Sequence, residues 1–193
     1  PVHQVACGVS DILMHTLDRY FNPVTDNALT DELAEALLRV VLEYGPAAVR
    51  DAHDETAMSE IMWAGSLSHN GLTGLGGRKD FATHQLGHAL SEKFDVYHGD
   101  SLTAVWSSWA RSVTDADPAR FARFARNVWH VEEADDTAAA LAGIAKQEAF
   151  FRSIGMPVRL GELSCGKQDE AGLADLANRC SYGKTRTIGT FRV

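Results

Sequence analysis

Apolar residues along this chain recur three and four positions apart, the spacing of one helix face, and no convincing run alternates polar with apolar as a half-buried strand does. A first helix is expected with Ser10 as its cap, running through Asp11, His15 and Arg19 and stopping near Asn22-Pro23. Thr30 stands ahead of Asp31 and Glu32, whose charges favour a helix N-terminus. Leu33, Leu37, Val40, Val41 and Tyr44 follow at helical spacing, and Gly45-Pro46 is expected to end that stretch. A third helix is expected over 56–70, and the glycine cluster of 71–77 cannot continue it.

Asp80 then caps a helix carrying Phe81, His84, Gln85, His88 and Leu90 that ends near Phe94, with His98-Gly99 in the following turn. The apolar 101–112 segment reads as a central helix. Asp117-Pro118 joins an N-cap to a first-turn proline and opens the next helix. Asp135 or Asp136 opens another, closed by Gly155 and Pro157, and a last one covers about 170–180. The best strand candidate, 157–160, is too short to build a sheet. The pattern therefore predicts one all-α domain, a multi-helix bundle, over residues 1–193.

Composition narrows the function. The net charge of −8 repels phosphate backbones, so nucleic acid is not expected as a partner. No apolar stretch is long enough to span a membrane, and no signal peptide is seen. Cys7, Cys165 and Cys180 show no CxxC spacing and are expected to be reduced thiols in a cytoplasm. The chain begins at Pro1 without methionine, already close to Asp11, which suggests a fragment, a processed product or an excised domain.

The candidate chemistry lies in the histidines. Asp11 and His15 are four apart, which on a helix puts both on one face; His84 and His88 repeat the spacing, and His98 follows beyond a helix end. A lone helical histidine is more often a core or surface residue than a ligand, and an isolated DxxxH pair is weak. The two pairs together with His98 make convergence on one divalent metal a real alternative. Carboxylate with imidazole suits iron(II), zinc(II) and other first-row divalent ions, and with only Cys7 nearby a thiolate-rich structural zinc site is not expected. His3, His53, His69 and His130 lack such spacing and read as surface residues. Phe94, Trp106 and Trp109 could line an apolar pocket, but core packing is the preferred reading.

The segment Gly8-Val-Ser-Asp-Ile-Leu-Met-His-Thr-Leu-Asp-Arg-Tyr-Phe21 resembles the first metal-binding helix of the iron-containing alcohol dehydrogenases, nearest their NAD(P)H-dependent butanol dehydrogenase-like branch. The stretch from Gly74 to Gly99, with His84-Gln-Leu-Gly-His88 and Tyr97-His98-Gly99, resembles the second metal-binding region. Asn70-Gly71-Leu72 and Thr187-Ile-Gly-Thr-Phe-Arg192 are also similar. The resemblance implies that Asp11, His15, His84 and His98 hold the metal, Fe2+ or Zn2+ or another divalent ion. It implies that His88 stands near the metal as a substrate-binding or proton-relaying group.

It further implies half of an oxidoreductase site. The metal would polarise an alcohol or aldehyde oxygen for hydride transfer with NAD(P)H. The cofactor would be held by an N-terminal dinucleotide-binding domain that this chain does not resemble. The glycines of 71–77 follow no strand and do not replace that domain, and Arg78 and Lys79 read as a solvated loop. The chain also departs from the pattern in stopping short of the usual C-terminal end and in having Asp100 where a less charged residue is expected. Two other classes compete. One is a metal-binding helical domain without activity, whose uncovered face would serve interaction or homo-oligomerisation. The other is a metal-dependent hydrolase using the same ligands to activate water.

Overall fold

The computed structural model of the chain describes residues 1–23 and 26–191, and no strand occurs among them. Eight helices follow in order: α1 (Val2–Tyr20), α2 (Ala28–Arg50), α3 (Glu55–His69), α4 (Ala82–Phe94), α5 (His98–Val113), α6 (Pro118–Trp129), α7 (Asp136–Ser153) and α8 (Glu170–Cys180). The all-α expectation holds, and the 157–160 segment forms no strand. Arg192, the last residue of the C-terminal match, lies outside the described residues.

Helix starts follow the chemistry of their caps. Asp54, Asp117, Asp135 and Asp169 each accept a hydrogen bond from a backbone N–H three residues on, at 2.8 to 3.1 Å. Asp80 accepts from Ala82 N at 2.9 Å and from Thr190 N at 2.6 Å, tying the C-terminal segment to the start of α4.

Several boundaries differ from the sequence reading: α2 starts at Ala28 rather than at Thr30, and Phe81 stands before α4 rather than in it. Ser10 does not cap α1; it lies in mid-helix, because Ala6, Val9, Leu13 and Leu17 form one buried stripe that extends the helix back to Val2. Gly45-Pro46 does not end α2, which runs on to Arg50. A Cβ at Gly45 would meet Val9 Cγ1 at 2.8 Å, so the glycine marks the crossing of α2 over α1, and the packing gained there outweighs the one N–H that Pro46 removes. His98 is the first residue of α5 rather than part of the turn before it.

Helix α1 is the hub: it packs on α2, α3, α4 and α5, while α6 pairs with α7 and α8 leans on α4. Beneath its C-terminal end lies an aromatic core in which Phe21 stacks on Phe121 at 4.2 Å between ring centres. Trp106 and Phe124 pack around them. Trp106 is buried as the core reading expects, Phe94 is only half-buried against the core, and Trp109 is buried yet lines an apolar cleft with Leu90, Val105 and Leu176. A buried polar network joins α1, α2 and α6. Arg120 donates to both oxygens of Asp31 and to Tyr20 O, and Tyr20 Oη donates to Glu35 at 2.7 Å. Each buried charge in it is paired.

Candidate metal centre

The centre forms where α1 meets α4 and the start of α5. Asp11 and His15 project from one face of α1, His84 from α4, and His98 from the first turn of α5. Asp11 Oδ1 lies 3.5 Å from His84 Nε2, 3.5 Å from His98 Nε2 and 3.8 Å from His15 Nε2. All four sequence-identified ligand candidates therefore gather at one carboxylate oxygen. Together with His69 they form two sets sharing Asp11: one with His84 and His98, the other with His15 and His69.

His69, read from sequence as a partnerless surface residue, is a correction. Its ring is 43% exposed, yet Nε2 lies 3.2 Å from Asp11 Oδ2 and the ring centre lies 4.0 Å from that of His15. The helical period within α3 carried no hint of this, because His69 reaches the site from the last turn of its helix. His3 likewise has partners, Asp100 and Cys7. His88 belongs to neither set; it stacks on His98 at 5.3 Å and borders a small cleft with Gln85, Glu92, Arg179 and Arg186.

Two further residues belong to the site. Asp18 is fully buried, and its carboxylate accepts from His84 Nδ1 at 2.7 Å and from Thr83 Oγ1. Its position was legible: Asp11, His15 and Asp18 follow at i, i+4 and i+7 along one face of α1. Phe81 stands just before α4 with φ +53°, a left-handed conformation costly for a bulky residue. Its ring lies 4.8 Å from that of His84 and 5.6 Å from that of His15, and forms an apolar wall. No local sequence signal marks that conformation.

The electrostatics follow from this crowding. Burial alone would raise the Asp11 carboxyl, but the imidazoles of His84 and His98 outweigh it and hold the group well below the usual carboxylate range. Burial would lower His84, yet Asp11 and Asp18 on either side push it up to about 9. His15 is lowered to about 4 by burial, against the pull of Asp11, with His84 and His69 adding to the fall. Burial lowers His88, with His98 and His84 acting in the same direction.

Among the described residues, Asp11 Oδ1 and His84 Nε2 are buried without a hydrogen-bond partner. Each such orphan costs about 1–3 kcal/mol in an apo site. Donors about 2.1 Å from one tetrahedral ion stand about 3.4 Å apart, close to the 3.5 Å from Asp11 Oδ1 to the Nε2 atoms of His84 and His98, while His15 groups with Asp11 and His69. The His84 Nδ1 contact with Asp18 leaves Nε2 facing inward, as the second shell of a ligating histidine does. The donor set fits a divalent ion of the iron or zinc class.

Residues 4–190 match the Fe-containing alcohol dehydrogenase family, C-terminal. The chain belongs to this family. It is 34% identical over 194 residues to NADH-dependent butanol dehydrogenase A of Clostridium acetobutylicum, an alignment covering 100% of this chain and 49% of that protein. It is 33% identical over 162 residues to the NADPH-dependent aldehyde reductase YqhD of Escherichia coli, covering 84% of this chain and 42% of the relative. The substrate- and cofactor-free structure of that reductase superposes with TM-score 0.92 at 29% identity, over 100% of this chain and 50% of that one. An NADH-dependent butanol dehydrogenase A from Thermotoga maritima shares the fold, with TM-score 0.90 at 24% identity over 100% of this chain and 49% of that one. The chain thus spans about half the length of the curated relatives it matches.

Proposed function

We propose that residues 1–193 are the metal-holding helical half of an NAD(P)H-dependent alcohol dehydrogenase or aldehyde reductase, in which Asp11, His15, His84 and His98 hold one divalent ion, iron or zinc. The observation that carries the reading is the buried, unpartnered Asp11 Oδ1 faced by three imidazole Nε2 atoms at 3.5 to 3.8 Å. Family membership supports it over the hydrolase alternative.

When bound, the ion supplies Lewis-acid polarisation of an alcohol or aldehyde oxygen. The chain's own residues do the rest. Asp18 holds His84 in the tautomer that turns Nε2 inward. Phe81 closes one side of the site with an apolar face. His88 stands beside His98, and partial burial lowers its pKa and so favours the neutral imidazole. It takes the hydroxyl proton at a ring nitrogen in the oxidative direction and returns it in the reductive one.

The nicotinamide cofactor is assigned to a dinucleotide-binding domain outside these 193 residues, which becomes this chain's partner across the open side of the metal centre. Short alcohols or aldehydes are the substrate class, as the names of the relatives suggest. No described helix is long and apolar enough to cross a membrane. Three free thiols accord with work in a reducing cytoplasm.

The test is metal content per chain after anaerobic purification, for the wild type beside a His84→Ala, His98→Ala double variant. One equivalent more in the wild type than in the variant supports the site; an equal content in both overturns it. Rapid NADH oxidation with butyraldehyde by the 193-residue chain alone would refute the assignment of the cofactor to another domain.

A further inference from the structure

A second group of donors lies one turn before Asp11, where α1 passes the start of α5. His3 and Cys7 are four residues apart on α1 and share one face. Asp100, in the first turn of α5, reaches both. Its Oδ2 lies 3.0 Å from His3 Nε2 and its Oδ1 3.9 Å from Cys7 Sγ, while Cys7 Sγ is 3.6 Å from His3 Nε2. The three donor atoms all fall within 4.8 Å of one another. The convergence depends on the residue beside Asp100: a Cβ on Gly99 would stand 2.6 Å from Cys7 Cα, so only glycine lets the two backbones close to this range.

We propose that His3, Cys7 and Asp100 form a second divalent-metal site, distinct from the Asp11 centre and selective for a thiolate-accepting ion such as zinc. The donors are one imidazole nitrogen, one sulfur and one carboxylate oxygen, a mixture that zinc accepts at about 2.0–2.3 Å from each. Tetrahedral coordination at those lengths sets the donors about 3.4–3.6 Å apart, and the observed spacings of 3.0, 3.6 and 3.9 Å bracket that range. Only small side-chain rotations separate the hydrogen-bonded trio from a coordinating one.

The site is reachable. His3 is 43% exposed and Asp100 16% exposed, and both border a surface cleft with Tyr97, Arg152 and Glu162. Three protein donors leave a fourth position toward that cleft for water or an exogenous ligand. The two centres share no residue. One helical turn of α1 separates Cys7 from Asp11, a rise of about 6 Å, which exceeds the roughly 3.5–4 Å between the metals of a bridged pair. The second ion would clip the N-terminal turn of α1 to α5 two residues from His98, at the crossing that sets the geometry of the first.

Cobalt(II) separates the two centres, because only the second has a sulfur donor. The wild-type chain, reduced and titrated with Co2+, is expected to take up two equivalents, one of them bringing a near-ultraviolet thiolate-to-cobalt charge-transfer band. Cys7→Ser and Asp100→Asn variants are each expected to lose that band and one equivalent of cobalt. A His84→Ala, His98→Ala variant keeps the band and loses the other equivalent. Absence of the band in the wild type overturns the proposal and leaves the Asp11 centre untouched. Survival of the band in Cys7→Ser points to Cys165 or Cys180 and overturns it too. Loss of the band in the His84→Ala, His98→Ala variant would mean that Cys7 serves the first centre, which also refutes a separate site.

Discussion

Replacing Asp18 by asparagine isolates the part of the metal centre that never touches the metal. The side chain is fully buried, one oxygen 2.7 Å from His84 Nδ1 and the other accepting from Thr83 Oγ1. Asparagine preserves the shape and can keep the hydrogen bond from Nδ1 through its own carbonyl oxygen, with its amide facing Thr83 Oγ1 as donor to acceptor. What it removes is the charge. A hydrogen bond to a charged group contributes about 1.5–3 kcal/mol against about 1 for a neutral one. The difference falls on the basicity of His84 Nε2, the ligand atom. Outer-shell changes of this kind typically cost about 10- to 100-fold in metal affinity, or about 1.4–2.7 kcal/mol, in agreement with that difference. The assay is competition for Zn2+ against a chromophoric chelator at fixed pH, with circular dichroism confirming unchanged helix content. An affinity within about twofold of wild type in a fully helical Asp18→Asn chain would refute the argument that Asp18 sets the strength of His84.

Four other outcomes follow from the same structure. Arg120→Met leaves Asp31 charged and buried without its bidentate partner, and is expected to lower stability by about 3–5 kcal/mol in urea titration; a loss under 1 kcal/mol would contradict it. Gly99→Ala puts a methyl group against the Cys7 backbone and forces α1 from α5; a cost of about 1–3 kcal/mol with weakened metal binding is expected, and an unchanged melting temperature would argue against a tight crossing. In the metal-free chain His84 has a folded-state pKa of about 9, above its usual 6.5, so the stabilisation it gives is complete below pH 6.5 and lost as pH rises through 9. The denaturation midpoint should fall over that window, and a rise there would sink the assignment. His69→Ala should weaken metal binding less than His15→Ala, because His69 bonds Asp11 Oδ2 while His15 faces the orphaned Oδ1; the reverse order would exchange their roles.

The helices and the pairs Asp11–His15 and His84–His88 could be read from the sequence because both rest on local spacing, whereas the choice of His98 over His88 beside Asp11, His15 and His84 came from the family resemblance. Asp11 and His15 share a face at i, i+4 wherever α1 begins, so misplacing its start at Ser10 did no harm to the site. The same spacing rule extended to i+7 reaches Asp18, whose burial depends on the packing of α4 against α1. His69, Phe81 and the Gly45 crossing resist such reading for a common reason. Each is defined by what another helix does: the packing of α3 on α1, the entry of α4 in a left-handed residue, and the pass of α2 over Val9. Gly45-Pro46 carries every local mark of a helix end, and tertiary packing overrides it.

The centre owes its precision to being built on helix interiors and first turns rather than on loops. Asp11 lies in the middle of the helix that packs on four others, so its main chain has little freedom. Its two oxygens are used differently: Oδ2 takes the exposed His69, and Oδ1 is left, buried and unpartnered, toward His15, His84 and His98. A carboxylate tethered at one oxygen cannot rotate freely to relieve the other, and one whose charge is maintained by neighbouring imidazoles cannot relieve it by taking up a proton near neutral pH. The fold therefore holds an unmet acceptor at the meeting point of three imidazoles, where a divalent cation is the partner that satisfies the oxygen and the nitrogens together.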